Sequence, residues 1–190
     1  MLTINFLNLD AERLKTLDFT TFEQVFKLML KNRYKLFDDE HFRGDKPYME
    51  RVYEIIEAHS PYFWLFLDVK TGEVLGFCYF YDIVPFKNRI HSAFASICFK
   101  KEAFGMSAFI GARRLLNHMF RVMKVFKIKA ECFEGNLLIP NFLKKLGFEH
   151  EATLQNEAVV RSELKNIEIW SIFNPEIPTG KGAPKIHRLY

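Results

Sequence analysis

The sequence predicts one α/β domain with a mixed β-sheet, and three observations lead to this prediction. The length of 190 residues suits a single hydrophobic core. Two apolar, aromatic runs, 62–69 and 74–84, flank a Lys-Thr-Gly-Glu turn and predict a hairpin. Residues 90–99, 105–125 and 127–133 then have the patterns of a strand, a helix and a strand, which is the crossover that joins parallel strands. A parallel pair beside an antiparallel hairpin requires a mixed sheet covered by helices.

Two helices are expected before the hairpin. The first begins at a capping box formed by Thr20 and Glu23, and its apolar residues repeat at helical spacing. Pro47 suits the first turn of the second helix, because that position needs no backbone N–H. The segment before these helices, residues 1–18, is expected to start as a short strand and continue as a polar turn.

The C-terminal part of the chain completes the predicted domain. A short helix is expected at 137–146, and closing strands are expected at 148–154 and 167–173. Residues 174–190 are rich in proline and glycine and cannot build regular structure, so we interpret them as a tail. The domain is therefore expected to span residues 1–173.

Composition limits the function classes. Hydrophobic residues make up 49% of the chain and charged residues 26%, which is typical of a globular soluble protein. The net charge of +4 is spread along the sequence, so it gives little support for a nucleic-acid-binding domain. Uncharged stretches are too short to span a bilayer, and no signal peptide is recognisable. The odd set Cys78, Cys98 and Cys132 has no CxxC pair, which argues against disulfides and zinc. We expect a cytoplasmic protein without a metal.

The most informative stretch is 128–151. A strand ends in Glu-Gly-Asn at 134–136, a short helix follows, and the chain then reads Leu-Gly-Phe at 146–148. This series resembles the end of the GNAT acetyltransferase fold, and in particular the branch of RimJ/RimL-like protein N-terminal acetyltransferases. The resemblance covers residues 62–173. It implies the α/β GNAT (acyl-CoA N-acyltransferase) fold and direct transfer of an acetyl group from acetyl-CoA to an amine.

The resemblance also implies where acetyl-CoA binds. Its pantetheine arm would lie between splayed parallel strands at 90–99 and 127–133, and would pair with backbone groups like an added strand. Its pyrophosphate would lie at the start of the next helix, where N–H groups and the helix dipole favour an anion. Gly105 matches the central glycine of the family's phosphate loop, whereas Glu102 replaces an Arg or Gln. The predicted cofactor-binding residues are Ile97, Cys98, Phe99, Gly105, Met106, Ser107, Ala108 and Asn136; the last matches a family asparagine, with a helix N-cap as the alternative.

Acetyl transfer needs a base for the amine proton and an acid for the departing thiolate. In related enzymes the acid is often Tyr or Ser on the helix after Asn136, but Ile139 and Leu143 occupy the matching positions. The strand position that often carries a catalytic Glu falls near Ser92. The neighbouring His91 is a candidate base, since histidine titrates near neutral pH, and an ordinary surface histidine is the alternative. The predicted catalytic residues are His91, Ser92 and Glu134, with Glu131 as a weaker candidate.

The acceptor is expected between the loop that joins the first two helices and the loop that joins the last two strands. Asp38, Asp39 and Glu40 in the first loop could attract a protonated amine or form a solvated acidic turn. The second loop, 153–166, indicates no particular substrate. The acceptor is therefore left as a protein N-terminus, a peptide or a small amine.

Two alternatives are kept beside the enzyme hypothesis. The chain could be a GNAT-fold binding or structural module that has lost transfer, because Glu102, Ile139 and Leu143 replace residues that the chemistry uses. A nucleic-acid-associated domain is the weaker alternative. The 21 phenylalanines would suit a subunit interface, so a homodimer is also kept as an alternative.

Overall fold

A computed structural model describes residues 4–36 and 48–177. The elements are β1 (Ile4–Leu9), α1 (Ala11–Thr16), α2 (Phe19–Leu36), α3 (Tyr48–Ala58), β2 (Phe63–Asp68), β3 (Val74–Phe86), β4 (Arg89–Phe99), α4 (Met106–Arg121), β5 (Lys127–Phe133), α5 (Leu138–Leu146), β6 (Glu149–Val160) and β7 (Glu163–Phe173). Strand β2 and the first half of β3 are almost continuously apolar and buried, which is typical of a sheet that is covered by helices on both faces.

The described residues form one sheet of seven strands in the order β1-β2-β3-β4-β5-β7-β6. All neighbours pair antiparallel except β4 and β5, which are parallel. Helix α4 supplies the crossover connection that a parallel pair requires. The predicted mixed sheet is thereby confirmed, and the β2–β3 hairpin and the β4–α4–β5 crossover lie where the sequence predicts them.

Helices pack on both faces of the sheet. On the first face, called the α2/α3 face, Met29 and Ile56 pack with Phe63 in one buried cluster. On the opposite face, called the α4/α5 face, Leu115 packs with Phe66 in a second cluster. Each fully buried side chain of this size contributes about 1.5–3 kcal/mol by leaving water. The two clusters fix the sheet between its helical layers and so fix the positions of the strand ends.

The start of α2 differs from the prediction. The capping residue is Asp18, whose carboxylate accepts hydrogen bonds from the Thr21 backbone N–H at 2.9 Å and the Thr21 hydroxyl at 2.7 Å. These hydrogen bonds lower the pKa of Asp18. Thr20 lies inside the helix. Asp is as good an N-cap as Thr, and the sequence offers both within three positions.

The predicted loop at 153–166 is wrong. Strands β6 and β7 continue through most of it and close in a tight turn, since Val160 pairs with Glu163. Arg161 and Ser162 form the turn with φ angles of 53° and 63°. Two-residue hairpin turns of this conformation usually contain Asn-Gly or Asp-Gly, so the Arg-Ser pair is no turn signal. A register shift between Leu154 and Ala158 also breaks the alternation that identifies a strand.

The residues that follow β7, as far as residue 177, pack against the domain. Asn174 is 1% exposed, and its side-chain amide donates hydrogen bonds to the carbonyls of Phe120 at 3.0 Å and Val125 at 2.9 Å. Glu176 forms an ion pair with Arg121. The boundary at residue 173 stays a prediction. Among the helices of residues 4–36 and 48–177, none combines the length and apolarity that crossing a membrane would need.

Candidate active site

The site begins where the parallel strands separate. Strands β4 and β5 pair from Ser92 with Lys127 to Ala95 with Ala130, and no pair follows in the described chain. Beyond Ala95, β4 stays paired with β3 as far as Phe99, whereas β5 stays paired with β7. The two strands are therefore held apart by their other neighbours. We call the resulting opening the β4–β5 gap.

Three predicted cofactor-binding residues lie along this gap. Ile97, Cys98 and Phe99 belong to the part of β4 that has a partner only on its β3 side. The backbone edge of such a strand can accept a further extended chain. Burial raises the pKa of the Cys98 thiol to about 12, which keeps that side chain neutral at physiological pH.

The start of α4 lies just beyond the end of β4. Gly105 caps this helix with φ 124° and ψ −133°, a conformation that essentially only glycine adopts, and an added Cβ would meet no atom within 4 Å. No side chain caps the helix. Met106, Ser107 and Ala108 form its first turn, and the Ala108 N–H donates to the Ala103 carbonyl at 3.1 Å. The dipole of the helix favours an anion at this end.

The charges around this helix start are mixed. Lys100 is paired with Glu73 at 2.5 Å and is therefore engaged away from the helix. Lys101 and Glu102 are both exposed, so each charge is weakened by solvent. The carboxylate of Glu102 thus reduces, without abolishing, the attraction of the helix start for an anion.

Asn136 lies at the corresponding start of α5. Its side-chain oxygen accepts hydrogen bonds from the N–H groups of Leu138 at 3.2 Å and Ile139 at 3.3 Å. This is the capping interaction that was the alternative interpretation of Asn136. Its contact with a cofactor stays a prediction. The next two residues, Leu137 and Leu138, have exposed side chains.

The α2/α3 face of the gap carries a polar couple. The hydroxyl of Tyr81 on β3 donates a hydrogen bond of 2.5 Å to the carboxylate of Glu131 on β5. Tyr81 pairs with Phe94 in β4 and stacks on its ring, so the side chain crosses over β4 to reach β5. Glu131 directly follows Ala130, the last residue that pairs with β4. The hydrogen bond therefore spans the point where the gap opens.

Further polar and aromatic groups surround this couple. The Tyr79 hydroxyl is hydrogen-bonded to Ser96, and the ring of His59, at the end of α3, lies 4.4 Å from the Tyr79 ring. Burial, followed by the negative charge of Glu131, raises the pKa of Tyr81. Tyr81 is therefore a proton donor throughout the physiological pH range.

The α4/α5 face of the gap is apolar. A cavity of about 30 Å³ lies there, and most of its walls come from helices α4 and α5 and from the strand residues Ala95, Ile97 and Ala130. Cys78 and Phe80 of β3 complete it, and burial raises the pKa of the Cys78 thiol. A hydrocarbon or thioester segment suits such walls better than a charged group does.

The predicted catalytic residues do not come together. His91 is exposed at the beginning of β4, where its ring stacks on Phe126 at 5.4 Å. Ser92 is buried on the first parallel pair. Glu134 lies past the end of β5 and accepts a hydrogen bond of 2.7 Å from Asn166. Their catalytic roles stay predictions, and the carboxylate at the gap itself is Glu131.

The β6–β7 turn contacts the end of α2. The guanidinium of Arg161, at the β6–β7 turn, lies 4.6 Å from the ring centroid of Tyr34 near the end of α2. The turn is thus brought to the helix end. Asp38, Asp39 and Glu40 lie outside the described residues. Within those residues, no three His, Cys, Asp or Glu side chains are grouped so that they could hold a metal ion.

Comparison with solved structures identifies the class of fold. An acetyltransferase of the GNAT family from Bacillus anthracis matches with a TM-score of 0.68 and 16% identity, over 92% of this chain and 99% of that one. The ribosomal-protein-S5-alanine acetyltransferase of Vibrio fischeri matches with a TM-score of 0.66 and 13% identity, over 91% and 94%. Spermidine N-acetyltransferase of Vibrio cholerae, solved with CoA and spermine, matches with a TM-score of 0.64 and 16% identity, over 90% and 95%.

These likenesses show that the chain has the GNAT acetyltransferase fold, as the resemblance in its sequence implied. No family sequence model matches the chain. No curated protein sequence matches it either. The identities of 13–16% are too low to transfer a substrate, so the function has to be argued from the site.

Sequence reasoning missed Tyr81 entirely and ranked Glu131 below Glu134. Both carboxylates follow the last parallel pair in sequence, but the register that places Glu131 at the gap cannot be read from the sequence. The alternation of β3 offered a signal, because Tyr79 and Tyr81 share one face of an otherwise apolar strand. Two tyrosines on one strand face are nevertheless usual in an aromatic core.

Proposed function

We propose that this protein is an acetyl-CoA-dependent N-acetyltransferase that transfers the acetyl group directly to an amine. The amine belongs to a protein N-terminus, a peptide or a small molecule. One observation carries the proposal: β4 and β5 separate beyond Ala95 and Ala130, and Gly105 caps the helix that starts at the end of β4. This is an opening for an extended ligand with an anion-favouring helix start beside it.

The residues of the gap fit acetyl-CoA as a substrate. The open backbone edge at Ile97, Cys98 and Phe99 could pair with the two amides of the pantetheine arm. The first turn of α4 would receive the pyrophosphate, and the absent side chain of Gly105 permits close approach. The Vibrio cholerae neighbour, a spermidine N-acetyltransferase solved with CoA and spermine, supports this assignment.

An amine would approach from the α2/α3 face. That face carries the hydroxyl and carboxylate groups, whereas the α4/α5 face of the gap is apolar. The end of α2 and the β6–β7 turn meet above it and would frame the acceptor. The ring of Phe94 there already carries the ammonium group of Lys129 at 3.9 Å from its centroid, so a cation is accommodated on this surface.

A cytoplasmic location belongs to the same proposal. Cys78, Cys98 and Cys132 are buried free thiols, which suits a reducing compartment. Acetyl-CoA and an amine are the proposed partners, and neither a homodimer nor nucleic acid is needed for the transfer.

Thermal unfolding with acetyl-CoA, free CoA and ATP tests the proposal. Acetyl-CoA at about 100 times its dissociation constant should add roughly 2.7 kcal/mol of stability, a clear rise in Tm. ATP should give a smaller rise, because it lacks the pantetheine arm. No stabilisation by acetyl-CoA or CoA would contradict the proposal, and stabilisation without transfer to any amine would favour the binding-module alternative.

A matched pair of glycine variants locates the binding. Gly105→Ala and Gly72→Ala both place a Cβ at a positive φ, 124° and 73°, with no atom within 4 Å. Gly72 lies in the turn between β2 and β3, two strands away from β5 in the sheet. Both variants should be destabilised by backbone strain, but only Gly105→Ala should weaken stabilisation by acetyl-CoA. Equal ligand responses in the two variants would exclude the α4 start as the phosphate site.

A further inference from the structure

The helix position that often holds a proton donor in similar enzymes is apolar in this chain. Ile139 packs against the hydrophobic cluster of the α4/α5 face, and Leu143 is buried with 3% exposure. Neither side chain can protonate a departing thiolate. A transferase with this fold would need its donor from another element.

Strand β3 supplies such a donor from the opposite face of the sheet. The Tyr81 side chain lies over Phe94 and ends at Glu131, so its hydroxyl is held where β4 and β5 begin to separate. The bond of 2.5 Å joins a hydroxyl to a carboxylate, and charge-assisted bonds of this type are among the strong ones. The couple thus combines a proton donor and a proton acceptor at one point of the gap.

We infer that Tyr81 and Glu131 form the proton-transfer couple of the acetyl transfer, with Glu131 as the base for the amine and Tyr81 as the acid for the sulfur. This inference rests on the proposed function. It assigns the reaction's two proton steps to residues from β3 and β5 and leaves the α5 positions without a catalytic role.

For an amine that has already lost its ammonium proton to solvent, the proton balance of the transfer closes with Glu131 and Tyr81 alone. The amine nitrogen forms a bond to the acetyl carbon, and the bond between that carbon and the sulfur of CoA breaks. Glu131 takes the proton that the nitrogen loses, and Tyr81 gives its hydroxyl proton to the sulfur. The hydrogen bond between them then returns the proton from Glu131 to Tyr81, so both residues regain their starting states.

The surroundings of Tyr81 keep its hydroxyl protonated before the reaction. Burial raises its pKa most, and the charge and hydrogen bond of Glu131 raise it further. The other groups that face the couple are Tyr79 and Asp82 from β3, His59 from α3 and Lys129 from β5. The charge of Asp82 also acts to keep Tyr81 protonated, whereas Lys129 lies on the Phe94 ring beside it.

Kinetics of single and double variants test the couple. Tyr81→Phe and Glu131→Gln should each lower kcat roughly 100-fold, the usual scale of one proton-transfer group. The probes are acetyl-CoA with spermidine and with short peptides that begin with Ala, Ser or Met. The double variant should be no slower than the slower single variant, because the two residues act as one unit.

Tyr79→Phe and Glu157→Gln are the matched controls. Tyr79 lies on the same face of β3 and is hydrogen-bonded to Ser96, and Glu157 is exposed on β6. Both controls should retain most of the wild-type rate. Acetyl-CoA should raise the Tm of all four single variants as it does for the wild type, which shows that binding and folding are intact.

A titration provides a readout that needs no acceptor. In protein labelled with ¹³C at tyrosine Cζ, the resonance of Tyr81 should titrate at higher pH than that of free tyrosine. Glu131→Gln should lower this pKa towards its ordinary value, because the carboxylate charge that disfavours tyrosinate has gone. Glu157→Gln should leave it unchanged.

The outcomes separate the inference from the proposed function. If acetyl-CoA does not raise the Tm of the wild type, both the inference and the proposed function are wrong. If the wild type turns over and Tyr81→Phe is as fast as Tyr79→Phe, the assignment of the Tyr81–Glu131 couple is wrong but the proposed function stands. Binding of acetyl-CoA without transfer to any probe amine also overturns the couple, as does a Tyr81 titration that does not respond to Glu131→Gln.

Discussion

At the β4–β5 gap the two faces of the sheet differ in chemistry although the same strands build both. On the α4/α5 face, Phe80, Ala95 and Ala130 enclose an apolar cavity. On the α2/α3 face, their immediate neighbours Tyr81 and Glu131 form a hydrogen-bonded couple. Consecutive residues of a strand point to opposite faces, so β3 and β5 each contribute one apolar and one polar side chain at this level.

On β3 and β5, a packing residue and a candidate catalytic residue are adjacent in sequence and differ only in the face to which they point. A register shift of one residue in β3 or β5 would exchange the two faces and remove the couple from the gap. The hydrophobic clusters on both faces therefore do more than stabilise the sheet. They fix the register on which the placement of Tyr81 and Glu131 depends.

The largest expected effect is a loss of stability at Phe80, compared with a small loss at its neighbour Tyr81. Phe80→Ala should lower the free energy of unfolding by about 3–5 kcal/mol, because Phe80 is 2% exposed and its loss leaves a cavity. Tyr81→Phe keeps the ring and should cost about 1 kcal/mol. Urea unfolding measures both values. Similar losses in the two variants would mean that the faces do not differ as described.

Asn174 is the polar exception on the α4/α5 side. Asn174→Ala should lower the free energy of unfolding by about 2 kcal/mol, since the buried carbonyls of Phe120 and Val125 lose their donor. Asn117→Ala, at an exposed position of α4, is the control and should change stability by less than about 0.5 kcal/mol. A chain that ends at residue 173 should be as unstable as Asn174→Ala; full stability of that chain would place the domain boundary where the sequence predicts it.

The smallest expected effect concerns an ion pair on strands β5 and β6. Lys127 donates to Glu151 at 2.5 Å, and this hydrogen bond is the main cause of the lowered pKa of Glu151. Glu151→Gln should cost roughly 1 kcal/mol or less at pH 7, because the carboxylate is largely in solvent.

The pH dependence of that loss has a definite sign. A carboxylate whose pKa is lowered by folding stabilises the protein above its unfolded pKa, and this contribution disappears as pH falls through the folded value. The difference between wild type and Glu151→Gln in urea unfolding should therefore shrink as pH falls below about 4.5, the ordinary value of Glu151. A difference that stays constant down to pH 2 would contradict the assigned ion pair, and Glu157→Gln is the control.

Much of the fold could be predicted because its local signals agree. The β2–β3 hairpin has a turn signal between two apolar runs, and the crossover has a helix of clear periodicity. The β6–β7 hairpin could not be predicted, because Arg161 and Ser162 adopt left-handed conformations that such residues seldom adopt. Strand β6 is also mostly exposed and polar, and it lacks the alternation of a half-buried strand.

The site was predictable only in part. The strands that separate and the glycine that caps α4 follow from local patterns that match a known fold. The Tyr81–Glu131 couple depends on residues 50 positions apart in sequence, and on two strand registers that join them across β4. No local pattern encodes a contact of this kind, so His91 and Glu134 were ranked above Glu131 on their residue type and position alone.

Hydrogen exchange with and without acetyl-CoA tests the central claim most directly. The claim is that the gap between β4 and β5 binds the pantetheine arm and that the start of α4 binds the pyrophosphate. Acetyl-CoA should slow amide exchange at residues 96–99 and 105–108, and should leave β1 and β2 unchanged. No protection at these two segments, or protection confined to other parts of the chain, would contradict the account.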